Sequence, residues 1–290
     1  MKILLIQNLG SGTRFKKRYV DSLIKALQVD HQVEYHAVKQ FSSISTIVES
    51  SENIDLCLAC GGDGTVSAIA NTLVNTKIPL YAVPIGSGND FAQFFHMSKN
   101  IKSIMQAIYP FNVLGVNTIK ITNHGANVLT ILCFGFEAKI NRIANQLPRF
   151  IGKAKYTLAT IISLFGKTYV DLTIITDSNK FEGKYSLAIL ANTAFFGGGL
   201  KISENAKIKG SKARLILVRK QSRLKIVYLF ILLILKKHYE RTEFEEYEVQ
   251  NIEVTSNSGL LKAQGDGESL PNGRIVAEVD RDSLLVVDCN

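Results

Sequence analysis

Cysteine is scarce in this sequence, with four residues in 290, too few and too scattered for a disulfide framework. The expected setting is a reducing compartment, the cytoplasm. Cys57 and Cys60 form a C-x-x-C, but they lie in the apolar run from Ile54 to Ala59, which reads as a strand. Residues three apart on a strand face opposite sides, so neither a redox pair nor a zinc clip is expected. His31 and His36 fail as a metal pair for the same reason of odd spacing. Long hydrophobic runs are also missing. Met1 to Ile6 gives way at once to Gln7-Asn8, too short for a signal peptide. The next strongest stretch, Ile226 to Leu235, falls well short of the roughly 20 residues that span a bilayer. No transmembrane segment is predicted. The all-round apolar character of Ile226 to Leu235 predicts a buried helix, although its flanks Arg223, Lys225, Lys236 and Lys237 suit anionic lipid. No aromatic-interleaved basic patch stands out, so no nucleic-acid partner is expected, and no repeat or low-complexity linker is visible.

What is present describes a folded protein, with 46% hydrophobic and 20% charged residues. The net charge of +9 points to an anionic partner such as a nucleotide or a membrane surface. Up to residue 84 the pattern alternates, with strands over 2–7, 32–38, 54–60 and 79–84 and helices over 15–28, 42–51 and 65–75. That alternation predicts crossover units on a mostly parallel sheet, an α/β Rossmann-like open sandwich. Tyr19, Leu23, Ile24 and Leu27 recur at helical spacing and are expected to face that sheet. Beyond residue 112 the segments 113–122, 127–136, 168–176, 184–191, 213–219, 248–256 and 274–279 read as strands. Turns such as Thr122-Asn123-His124-Gly125 and Pro271-Asn272-Gly273 favour antiparallel pairing. The division expected is a nucleotide-binding α/β domain over 1–112 and a β-rich substrate domain over 113–290, interrupted by helices near 138–146 and 150–166. The run from Leu284 to Val287 is free to pair with either domain.

Three motifs carry chemistry. Gly61-Gly62-Asp63-Gly64-Thr65 joins a buried strand to a helix marked by Val66, Ile69, Ala70, Leu73 and Val74. Glycines let backbone N–H groups approach a phosphate, and the helix N-terminus adds partial positive charge. The order matches neither the P-loop nor G-x-G-x-x-G, and a carboxylate inside the loop suggests a magnesium contact. Gly86-Ser87-Gly88-Asn89-Asp90-Phe91-Ala92 repeats the arrangement after the next strand, at the carboxyl edge where α/β sheets bind ligands, so Asp63 and Asp90 are expected to converge. Gln264-Gly265-Asp266-Gly267-Glu268 reads alone as a hairpin turn, but phosphoryl transfer needs an acceptor-positioning carboxylate that Asp266 or Glu268 would supply.

Together the motifs resemble the diacylglycerol kinase catalytic-domain family, in its bacterial soluble lipid-kinase branch, over nearly the whole chain. Asn8-Leu9-Gly10-Ser11-Gly12 is similar to the family's N-P-x-S-G with Leu9 in place of proline; GGDGT, G-x-x-N-D-F-A, Phe196-Gly197-Gly198-Gly199 and Asp266-Gly267-Glu268 complete the set. The resemblance implies an NAD-kinase-like first domain, a β-sandwich-type second domain, and ATP with Mg2+ in the cleft between them. It places Asn8, Ser11 and Gly12 near ATP, phosphates on Gly61, Gly62, Asp63, Gly64, Thr65, Val66, Ser67 and Ala68, and Ser87, Asn89 and Asp90 beside the nucleotide. Asp63 and Asp90 would hold the metal, and Glu268 or Asp266 would be the base. Lys209 and Gly210 replace aspartates that bind a structural metal in relatives, so no second metal site is expected. Ser203-Glu204 replaces a usual Ala-Pro. The partner implied is a lipid substrate at the membrane surface, with peripheral association during turnover, and a homodimer is allowed. The competing readings are an NAD kinase and a non-catalytic nucleotide- or lipid-sensing regulator.

Overall fold

The computed structural model describes residues 1–9, 14–135, 143, 146–147, 159, 163 and 168–289. Ser11 and Gly12, and nearly all of the helices expected over 138–146 and 150–166, lie outside the described residues. The chain divides into two compact units, Met1–Val116 with Asp282–Asn290, and Asn117–Arg281.

In the first unit four parallel strands alternate with helices: β1 (Lys2–Asn8), β2 (Gln32–Val38), β3 (Leu56–Gly61) and β4 (Leu80–Pro84). The helices between them are α1 (Arg14–Leu27), α2 (Ile44–Ser50) and α3 (Asp63–Leu73). Then follow α4 (Asp90–Phe94) and α5 (Ile101–Ile108). The sheet order is β2-β1-β3-β4. Because β1 has β2 on one side and β3 on the other, the winding direction reverses between β1 and β3. Ligands bind outside the strand ends at such a reversal, here beyond Asn8 and Gly61. β3 is buried along its whole length, as a strand covered on both faces must be, and reads as an unbroken apolar run. In α1 the core-facing residues are Val20, Leu23 and Leu27, while Tyr19 sits at the margin and gives its hydroxyl to the Lys99 carbonyl.

The second unit is antiparallel. β5 (Val113–Ile121) enters it and turns into β6 (Ala126–Val128), then come β7 (Ile131–Phe134), β8 (Val170–Thr176) and β9 (Lys180–Ala191). A small hairpin, β10 (Phe195–Phe196) and β11 (Leu200–Lys201), turns through the triple glycine. β12 (Ala213–Arg219), α6 (Arg223–Ile234), β13 (Glu245–Val249), β14 (Asn251–Ser256), β15 (Ala263–Gly265), β16 (Glu268–Ser269) and β17 (Ile275–Val287) complete the chain. The pairing runs β16-β15-β7-β9-β8-β14-β17, with β12 beside β9 and β13. β14 and the first half of β17 alternate fully buried with more accessible positions, the period-2 signature of one-sided burial. Their inward residues meet in a core that includes Leu172, Ile174, Leu215, Leu217, Ile252, Val254, Ile275 and Ala277, each contributing roughly 1–3 kcal/mol of hydrophobic stabilisation. The end of β17 belongs to the first unit, where Val286 pairs with Leu80 of β4 in parallel.

The helix over 226–235 is only half buried, against the expectation from its composition. Leu229, Leu232 and Leu233 pack on β9 and β12, but Leu224, Val227, Tyr228, Ile231, Ile234 and Leu235 are exposed. An all-round apolar helix needs neighbours on all sides to be buried, and the sheet provides them on one side only.

Candidate functional site

The first unit builds a site at the β1/β3 reversal from two glycine loops in backbone contact. β3 ends at Gly61, and Gly62 is the N-cap of α3, with its carbonyl accepting from the N–H groups of Thr65 and Val66. The second loop leaves β4 and passes directly beside the first. A Cβ placed on Gly86 would lie 2.2 Å from the Gly62 Cα, and one on Gly62 would lie 3.2 Å from the Gly86 Cα. No side chain fits at Gly86, so glycine is required there by close approach of backbone to backbone, while at Gly62 the fit is tight. Gly61 is similarly constrained, its added Cβ falling 2.4 Å from the Thr65 side chain.

Side chains then fasten the loops. The Asp63 carboxylate accepts from the N–H of Asn89 at 2.7 Å and of Phe91 at 3.4 Å, bonding the opening of α4 from the opening of α3. Asn89 stands in the left-handed region at φ 63°, which asparagine tolerates, and its amide closes the loop by accepting from the Gly86 N–H at 2.9 Å and donating to the Gly86 carbonyl at 3.1 Å. Asn8, at the end of β1, donates its amide to Thr65 Oγ1 at 3.0 Å. The three strand ends β1, β3 and β4 are thereby tied into one rim.

The expected site residues divide on this rim. Asn8, Gly61, Gly62, Asp63, Gly64, Thr65, Asn89 and Asp90 come together. Ser87 is exposed at the tip of the second loop. Val66 turns its side chain into the core, so only its backbone opens toward the site, and Ser67 and Ala68 follow one turn along α3. Asp90 is buried, at 7% exposure. Cys57 and Cys60 sit in buried β3, where loss of solvation pushes both thiols up, Cys57 to about 12, so neither is poised as a thiolate.

Asp266 and Glu268 belong to the second unit and are described within it. β15 and β16 pair Gly265 with Glu268, leaving Asp266 and Gly267 as a two-residue turn. Both have positive φ, 51° and 87°, the primed-turn geometry that Asp-Gly favours. The Asp266 carboxylate is engaged with the segment before β7: it accepts from the N–H of Leu129 and Thr130 at 2.8 Å each, from Thr130 Oγ1 at 2.6 Å and from the Ile131 N–H at 3.4 Å. The Asp266 N–H returns a bond to the Ile131 carbonyl at 3.0 Å. From the other side buried Asn192 donates its amide to the Leu129 carbonyl at 2.8 Å, and the backbone N–H of Asn192 and Thr193 reach the Thr130 carbonyl. The Glu268 side chain is exposed and makes no hydrogen bond or ion pair with any described residue. The two acids of the motif therefore do different things. Thr130 and Asn192 were missed by sequence reasoning; the one available signal was the polar Asn192-Thr193 pair closing the apolar run Leu187 to Ala191.

Two family models match the chain. One, described as the diacylglycerol kinase catalytic domain, covers residues 2–121, and the other, the YegS C-terminal NAD kinase beta sandwich-like domain, covers residues 130–288. Diacylglycerol kinases of Staphylococcus aureus strains bovine RF122 / ET3-1 and MRSA252 are each 25% identical to it over 275 residues, spanning 92% of this chain and 87% of theirs. A crystal structure of a diacylglycerol kinase from Bacillus anthracis str. Sterne aligns with a TM-score of 0.78 at 20% identity, over 99% of this chain and 96% of that one. Yeast NADH kinase complexed with NADH aligns with a TM-score of 0.55 at 13% identity, over 99% of this chain and 83% of its own. At these identities the two solved structures bear on the fold alone. They agree with an NAD-kinase-like first domain and a β-sandwich-like second one.

Proposed function

The chain belongs to the diacylglycerol kinase catalytic-domain family, with a YegS-type C-terminal domain, and on that premise we propose that it transfers the γ-phosphate of Mg-ATP to the hydroxyl of diacylglycerol or a closely related lipid alcohol at a membrane surface. Membership makes it a lipid kinase that uses ATP; the acceptor, the metal and the residue roles are our reading. The observation that carries it is the pair of glycine loops held in backbone contact at the β1/β3 reversal, a cradle that any Cβ on Gly86 would fill.

The residues suit both groups the reaction needs. The opening of α3 offers N–H groups and partial positive charge to nucleotide phosphates. Among the described residues no three His, Cys, Asp or Glu side chains cluster to hold a metal alone. Mg2+ would take oxygens from Asp63 and Asp90 together with phosphates, a donor set it favours. When bound, the ion neutralises charge on the transferring phosphoryl group. Asp63 also keeps the Gly86–Asn89 loop against the first, so it orients the cradle as well.

Glu268 is the catalytic base in this reading. Its exposed carboxylate takes the proton from the lipid hydroxyl as that oxygen bonds to the γ-phosphorus and the bond to the ADP oxygen breaks. Asp266, with its oxygens committed to Leu129, Thr130 and Ile131, is a positioning residue that fixes the turn carrying Glu268. The sequence left the choice between the two acids open; their hydrogen bonding favours Glu268.

The test is phosphate transfer from labelled Mg-ATP to a panel of lipids in mixed detergent micelles, with NAD as a further acceptor. Labelled phosphatidic acid from diacylglycerol is the expected product. Label only on NAD would replace the lipid reading with that of an NAD kinase, and no label on any acceptor would favour a sensing protein.

A further inference from the structure

The exposed side of α6 is a continuous apolar face. Leu224, Val227, Tyr228, Ile231, Ile234 and Leu235 follow helical spacing and, at about 100° per residue, occupy an arc of roughly 120°. They are 37% to 85% exposed. The opposite side, Leu229, Leu232 and Leu233, is seated on the sheet and fixes which way this face looks. A contiguous apolar patch of this kind on a folded surface marks an interaction site.

Charge indicates the occupant. From Arg219 to Glu243 there are seven Lys and Arg residues and two acids. Of the acids, Glu243 is paired with Lys225 at 2.6 Å, and Arg241 lies on the Tyr228 hydroxyl at 2.8 Å. Arg223 at one end of the helix and Lys236 and Lys237 at the other are exposed and form no ion pair with any described residue. The helix stops where it does because Lys236 takes a left-handed conformation, φ 56°, and the N–H groups of Lys236 and Lys237 fold back onto Leu233 and Leu232 carbonyls. Both lysines are thus held at the helix end. An apolar face with cationic ends suits the boundary between acyl chains and anionic headgroups. With 12 residues the helix is too short to cross, and no helix among the described residues is long and apolar enough to do so.

We propose that this face of α6 docks the protein flat on a bilayer rich in anionic phospholipid. The proposal rests on the lipid-kinase reading for its purpose, since an enzyme acting on a lipid must reach a bilayer, but docking is measured without turnover.

The experiment is co-sedimentation of the full chain with vesicles of phosphatidylcholine alone or mixed with phosphatidylglycerol, alongside transfer to diacylglycerol in detergent micelles. The parent and Glu268→Gln should both sediment with the mixed vesicles and be released by salt. Lys236→Glu with Lys237→Glu should lower partitioning onto mixed vesicles by roughly tenfold or more, and leave the weak binding to neutral vesicles unchanged. Leu224→Glu with Ile231→Glu should reduce binding to both, with Tm retained, because both side chains already face solvent. Parent-like vesicle binding in both double variants would overturn the proposal. So would a parent that binds neither vesicle but forms a dimer by light scattering that Ile231→Glu dissociates, since a second copy would then cover the face. Loss of micelle transfer in the parent would instead strike at the kinase reading and leave vesicle binding to be judged by itself.

Discussion

Replacing Asp266 should damage stability and turnover together, in a way that separates it from its neighbour Glu268. Its carboxylate accepts two backbone N–H bonds at 2.8 Å and the Thr130 hydroxyl at 2.6 Å, with a weaker fourth contact at 3.4 Å. Hydrogen bonds to a charged acceptor contribute roughly 1.5–3 kcal/mol each, and a donor left unsatisfied costs about 1–3 kcal/mol. Counting the two amides and allowing water to reach the hydroxyl, Asp266→Ala should cost about 3–6 kcal/mol. Unfolding of the second unit should then begin on the order of 10 °C lower. Asp266→Asn keeps one acceptor oxygen but turns an N–H2 group toward an N–H donor, so about half that loss is expected. The turn also sets the backbone of Glu268, so turnover should fall in both variants, whereas Mg-ATP affinity, which in the proposed reading depends on the first unit, should hold. Calorimetry, denaturant titration and a transfer assay on the same preparations check this. If Asp266→Asn unfolds within a degree of the parent and turns over at the parental rate, the positioning role is wrong.

Two further outcomes follow from the same reasoning. Gly86→Ala should raise the KM for ATP by about tenfold or more, because its Cβ would fall 2.2 Å from the Gly62 Cα, and such a misplacement in a cradle is costly. Gly62→Ala, with 3.2 Å available, should be milder; the reverse order in steady-state kinetics would contradict the loop contact. In the first unit, the Ser51 hydroxyl, followed by Lys2 and His36, lowers the Glu34 carboxyl from 4.5 to about 2. A lowered folded-state value means stability present above pH 4.5 and lost as pH falls toward 2. The group is partly exposed, so after screening the effect is under about 1 kcal/mol. Glu34→Gln should flatten the acid limb of the stability profile in that window, and an unchanged limb would refute the assignment.

The fold was legible in the sequence because burial imposes periodicity. β3 is covered on both faces and had to be an unbroken apolar run, and glycine followed by an amphipathic helix could only be a strand-to-helix turn. The roles within the loops were less legible, because they depend on bonds between distant residues. Asp63 reads from its motif as a metal contact; that its oxygens also accept from amides 26 and 28 positions away was not legible there. Asp266 and Glu268 are both acids of one motif, and only the bonds from Leu129, Thr130 and Ile131, more than 130 positions away, tell them apart. Thr130 and Asn192 lie in no glycine-rich motif, so composition passes them by. For α6 the hydropathy was read correctly and the conclusion failed, since a sequence states how apolar a helix is and not on how many sides it will find neighbours.

The most direct test of the central claim is Glu268→Gln, measured for turnover, Mg-ATP binding and Tm. The side chain is exposed with no described partner, so binding and Tm should match the parent. Transfer to diacylglycerol should fall by roughly 100- to 10,000-fold, the usual contribution of a positioned base. Near-parental turnover would contradict the account.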